Sequence, residues 1–176
     1  MPIYHVHFFC TPDYNARRLP FRPAHLKQLA SLREQGRVVA GGPEPDGTAA
    51  HIFYRVGGQA ELAELLEENE FNRAGLFASS HARAFIDFVE PVELPPVDAG
   101  REVSLVEWPA NSVGRARTAL VALQERGQLA FGGFFGDGAG LAVVCSPRAD
   151  RAIEWLAAGG GWEPGRLTAR PWSQTL

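Results

Sequence analysis

Five histidines, His5, His7, His25, His51 and His81, lie in the first half of this 176-residue chain, and the second half has none. Imidazole titrates near neutrality, so these are the positions where proton transfer or metal ligation is most accessible. His25 stands in the run Arg22-Pro23-Ala24-His25-Leu26, with Arg18 one turn earlier. Proline suits the first helical turn, where a missing N–H costs nothing, so the spacing predicts that His25 sits in the first turn of a helix. The positive end of the helix dipole disfavours imidazolium and leaves a neutral ring that can accept a proton, as a general base must. Arg18 and Arg22 flank the same helix start, where guanidinium groups could grip a carboxylate or phenolate. The alternative is plainer: a polar residue bonded to nearby backbone, with arginines that only keep the helix soluble.

The strand-like run from Ile3 to Cys10 alternates Tyr4, Val6 and Phe8 with His5, His7 and Phe9, so two histidines point the same way. His5, His7 and His51 could join His25 around a divalent ion. No spacing among them is diagnostic, and histidines lining a damp space between sheets is the favoured reading, with neither metal nor cofactor expected. Asp46 and Glu70 are candidate acidic partners for His25, although Asp46 also fits a turn and Glu70 a solvated helix end. Cys10 and Cys145 each close an apolar run without a C-x-x-C pair and read as buried free thiols.

The elements that must position these residues follow from periodicity. After the first strand, Leu26, Leu29, Ala30 and Leu32 form a helical stripe that Gly36 stops. Val38-Val39-Ala40 leaves as a strand and breaks at Gly41-Gly42-Pro43, and Asp46-Gly47 turns the chain into the strand His51 to Val56. Leu62, Leu65 and Leu66 mark a second helix, and Ala84 to Val89 a fourth strand. The order β-α-β-β-α-β is the α+β ferredoxin-like pattern. The proline-rich stretch 91–100 then separates a domain 1–92 from a second, 101–176. Leu120, Leu123, Glu125, Gly127, Gly132, Gly133, Asp137 and Gly138 follow Leu29, Leu32, Glu34, Gly36, Gly41, Gly42, Asp46 and Gly47 at one constant offset, as do Leu156 after Leu65 and Trp162 after Phe71. The chain is therefore a tandem duplication. A longer offset at the first strand shows that the second copy has lost residues where the first carries Arg18 and Arg22. At the constant offset Ala116 falls at the position of His25, so the second copy keeps the scaffold and not the chemistry.

The run R-L-x-x-R-P-A-H-L, then L-x-x-L, G-R-V-V and A-G-G-P, resembles the signature of the YCII-related (YciI-like) family, and Glu68 to Phe77 is similar to that family's D-P-Y-x-x-A-G-L-F segment. The resemblance covers about the first half of the chain. It implies a dimeric α+β barrel-like fold with a histidine-centred pocket and no metal or cofactor. His25 would be catalytic there, and Arg18, Arg22, His7, Gly42, Pro43 and Asn69 would bind substrate. The family pairs its histidine with an aspartate; Asn69 stands at that position, and Glu70 where the family has proline. The chemistry implied is that of a cofactor-independent lyase or isomerase on a small aromatic or cyclic anion. A non-catalytic binding or interaction module on the same fold is the alternative.

Composition sets the outer limits. The net charge is −3 and Lys27 is the sole lysine, so nothing in the chain offers a basic stripe to nucleic acid. No apolar run approaches the length needed to cross a bilayer, and no cleavable leader is evident, which predicts a cytoplasmic protein with a small-molecule partner. The two copies are expected to form a pseudo-dimer within one chain, with a homodimer of chains open.

Overall fold

The computed structural model describes residues 1–97, 99–110, 116–160 and 162–176, which divide into two compact units. The first comprises Met1–Arg83, Pro95–Gly100 and Gln174–Leu176. Its elements are β1 (Ile3–Cys10), α1 (Tyr14–Arg17), α2 (Arg22–Glu34), β2 (Val38–Pro43), β3 (Ala49–Arg55), α3 (Gln59–Glu68), α4 (Glu70–Arg73) and the beginning of β4 (Phe77–Val89). The strand order β2-β3-β1-β4 is the ferredoxin-like one. β1 runs antiparallel to β3 with Val6 opposite Ile52 and His7 opposite His51, and Gly42 of β2 faces His51 from the other side. Pro23 enters α2 at its second residue, and Gly36, at φ 72°, supplies the left-handed turn that ends it. Leu29 and Leu32 point inward as the stripe requires, against a core that includes Val6, Phe8, Ile52, Tyr54, Leu62 and Leu65.

Two short helices escape the periodic pattern. α1 stands where composition predicts only a loop, and α4 is a single turn set up by Asn69. The Asn69 side-chain oxygen accepts from the backbone N–H groups of Phe71 and Asn72 at 3.0 and 3.3 Å, satisfying donors that a helix start leaves open. Asn69→Ala is expected to cost about 1 kcal/mol, read as a lowered urea midpoint with an unchanged slope; an unchanged midpoint would show that this cap contributes nothing. β4 begins at Phe77, seven residues before the sequence pattern suggests, because Ala78 to Ala82 are all exposed and carry no hydrophobic alternation to reveal a strand.

The second unit comprises Ala84–Leu94 and Arg101–Ser173. It holds the remainder of β4, then β5 (Arg101–Trp108), α5 (Ala116–Glu125), β6 (Leu129–Phe135), β7 (Gly140–Val144), α6 (Ala149–Gly160), a 3-10 turn at Pro164–Arg166 and β8 (Thr168–Gln174). The order β6-β7-β5-β8 repeats that of β2-β3-β1-β4, so the fold is a tandem of ferredoxin-like copies. Gly127 and Gly138 take φ of 70° and 80°, the same turns that Gly36 and Gly47 make in the first copy. The core here is built around Trp108, whose ring centroid lies 5.2 Å from those of Phe134 and Trp162, backed by Leu120, Leu123 and Leu156. Residues 111–115 and the side chain of Ala116, where the second copy is shortened, lie outside the described residues, as does Asp98 of the proline-rich stretch. Among the described residues no helix is long and apolar enough to cross a membrane.

Candidate functional site

His25 is buried in the first turn of α2, its backbone N–H bonded to the Phe21 carbonyl. Its ring lies flat on that of Phe71, 3.7 Å between centroids and 10° from parallel. Phe71 meets Tyr14 edge-on at 5.8 Å, and the Arg18 guanidinium lies over the Tyr14 ring. Burial, followed by the positive charge of Arg22, pushes the His25 pKa down to about 4. The neutral ring expected from its place in the helix is therefore found, with desolvation as its chief cause. The buried Nδ1 atom makes no hydrogen bond. Neither candidate carboxylate figures in its environment. Asp46 is exposed in the β2–β3 turn, where it accepts from the N–H and hydroxyl of Thr48, and Glu70 opens α4.

The strand histidines lie on the other face of the same sheet. Phe8 stacks on Phe77 toward the Tyr14–Phe71–His25 cluster, so its neighbour His7 projects from the opposite face. There His51 Nε2 is 3.0 Å from a carboxylate oxygen of Glu44, and His51 Nδ1 is 2.9 Å from Nε2 of His5. A proton on Nε2 lets His51 donate to the carboxylate through that atom and accept from His5 through Nδ1. His51 is fully buried, while Glu44 and His7 are partly exposed. The His7 ring stacks on His51 at 4.4 Å and lies tilted against Phe9 at the same distance.

The residues expected to bind substrate thus fall into two groups. Arg18, Arg22 and Asn69 gather at the His25 side, Asn69 through its cap on Phe71. His7 and Gly42 share a row across three strands with His51, and Pro43 pairs with Ala50 beside it. The structure does not bring His7 and His25 together. Asn69 is buried and committed to its cap; it also faces the buried Tyr54 hydroxyl, whose pKa burial raises and Asn69 partly offsets. Glu44 and the pairing of His5 with His51 were not expected. Their signal was a glutamate and a histidine on the two sides of the Asp46-Gly47 turn, which a hairpin brings near one another, although the residue directly abreast of His51 is Gly42. Cys10 is half-buried rather than buried, and desolvation pushes its thiol up to about 12, so it is inert as a nucleophile.

The chain matches no protein-family model and no curated protein by sequence. Solved structures do share its fold. A proposed monooxygenase from Fusobacterium nucleatum subsp. nucleatum superposes with a TM-score of 0.57 at 8% identity, covering 99% of this chain and 93% of that one. A second proposed monooxygenase, from Lactobacillus acidophilus NCFM, gives 0.56 at 11% identity over 99% and 94%. These neighbours are dimeric α+β barrel folds. The 5-chloro-2-hydroxyhydroquinone dehydrochlorinase of Burkholderia phenoliruptrix AC1100, in complex with 2,5-dihydroxybenzoquinone, aligns at 22% identity over 46% of this chain and 89% of that one, with a TM-score of 0.41.

Proposed function

We propose that this chain is a YCII-like small-molecule protein whose first copy carries a proton-transfer site, with His25 as general base in a cofactor-independent lyase or isomerase reaction on a small aromatic or cyclic anion. The observation that carries the reading is the state of His25: buried, neutral, laid flat on Phe71, its Nδ1 without a partner and Arg22 close enough to depress its pKa. A base held near 4 is weak on its own. An anion bound beside it would offset the charge of Arg22 and favour the imidazolium, raising the pKa when substrate arrives. Tyr14 and Phe71 supply aromatic surface, and Arg18 and Arg22 the positive charge. Asn69 favours a second reading, a non-catalytic ligand-binding module, because an amide committed to a helix cap cannot stabilise imidazolium as the family's aspartate would.

The test is a panel of hydroxylated benzoates and phenolates, followed by calorimetry and by NMR for deuterium exchange into the bound compound. One molecule should bind per chain, because Arg18, Arg22 and His25 have no counterparts in the second copy, and His25→Ala should slow exchange by about 10²–10⁴-fold. Binding without exchange would leave the non-catalytic module. Two equal sites per chain would overturn the assignment of the site to the first copy.

A further inference from the structure

We infer that His7, Glu44 and His51 form a site for a divalent transition metal ion of the zinc class, on the sheet face opposite His25. One ligand atom from each, an imidazole nitrogen from both histidines and a carboxylate oxygen from Glu44, all lie within 4.8 Å of one another. Metal–ligand bonds of about 2.0–2.2 Å hold their donor atoms about 3.3 Å apart, so small side-chain rotations suffice to close the set. The Glu44 and His51 atoms are already 3.0 Å apart. Two adjacent strands and the turn beside them place the donors: His7 of β1 sits directly opposite His51 of β3, and Glu44 immediately follows β2, which pairs with His51 on its other side. Two histidines on paired strands and one carboxylate from the adjoining turn make a donor set that suits zinc and leaves coordination positions open.

The second contact of His51 distinguishes this cluster from a hydrogen-bonded pair. A metal on Nε2 displaces the proton there to solvent and requires Nδ1 to carry one; the Nε2 atom of His5, 2.9 Å away, accepts that N–H once His5 carries its own proton on Nδ1 instead of Nε2. Ligating imidazoles characteristically donate their other N–H to such a partner, which holds the ring in position. His5 and His51 are buried, with His5 against Phe53 at 5.0 Å between ring centroids, so the inner side of the cluster is shielded from water and strengthens the attraction between carboxylate and cation. Glu44 and His7 remain partly exposed, which leaves the ion a path from solvent.

The experiment titrates chelator-treated protein with ZnCl2 by calorimetry and with CoCl2 by visible absorption. One ion per chain is expected, with cobalt bands characteristic of nitrogen and oxygen ligands. His7→Ala and Glu44→Gln, both at partly exposed side chains, should each weaken zinc by at least about tenfold while leaving the urea midpoint of the metal-free protein near that of wild type. His5→Phe, a change at a positioning residue, should weaken it by about 10–100-fold without altering the number of ions bound. His25→Ala should leave zinc binding unchanged, which separates this site from the proton-transfer site. Absence of a cobalt spectrum, or zinc affinity unaltered in both His7→Ala and Glu44→Gln, would overturn the assignment.

Discussion

Acidification from pH 6.5 to pH 4 is expected to remove about 3 kcal/mol of stability through His25 alone. An unfolded histidine takes up its proton near 6.5, whereas in the fold the same ring resists protonation until about 4. Below 6.5 the unfolded state therefore binds a proton that the native state does not, and the balance moves toward unfolding until the native ring also titrates. The contribution is fully present above 6.5, declines through the window and is gone below 4. Other groups titrate over the same range, so the measurement is a difference: urea unfolding of wild type and His25→Phe at a series of pH values. The phenyl ring keeps the stack on Phe71 and has no proton to gain, so the variant should gain about 3 kcal/mol relative to wild type on going from pH 7 to pH 4. Parallel stability curves would show that His25 is solvated and that the geometry of the proposed base is wrong.

Gly140→Ala is expected to destabilise the second unit by about 3 kcal/mol or more and to lower Tm by roughly 10 °C. A Cβ at Gly140 would lie 2.1 Å from Cζ2 of Trp108 and 2.4 Å from the carbonyl oxygen of Gly133. Both obstacles are immovable in the ordinary sense. The indole is buried between Phe134 and Trp162, and the carbonyl belongs to β6, the strand next to Gly140. Gly165→Ala is the control, since nothing lies within 4 Å of its Cβ position and its backbone is unstrained, and it should change stability negligibly. Equal melting temperatures for the two variants would mean that the indole can slide without loss.

The fold was legible because its devices are local and repeated. Pro23, Gly36, the pair Asp46-Gly47 and their partners Gly127 and Asp137-Gly138 punctuate both copies in the same way, and each took the backbone state its chemistry demands. β4 was legible only where it is buried, because its first residues are exposed on both faces and alternation has nothing to report. The site was harder. His25 could be placed in a first helical turn from Pro23 alone, but its neutrality comes mainly from burial against Phe71, some forty-six positions away, and no spacing encodes that contact. His5 and His7 share one face, as strand alternation requires. Which face His25 occupies depends on the helix packing over the sheet, and a list of histidines holds no information about that. Asn69 caps α4, a role that no pattern in the sequence reveals because a one-turn helix has no period.

The bonds that Gly41 accepts bear on how a ribosome must deliver this protein. Its carbonyl takes the backbone N–H groups of Thr175 and Leu176 at 2.9 and 3.0 Å, and the Leu176 side chain is buried in the first unit. Residues 174–176 are translated after the whole of 101–173, so the unit begun first is completed after the other has left the exit tunnel. During elongation β2 carries an unfinished edge at Gly41, and closing it means spanning more than a hundred residues. Until then the edge at Gly41 is open to pairing with a second chain, so slowing translation across the second unit should raise the dimer fraction seen by size-exclusion chromatography.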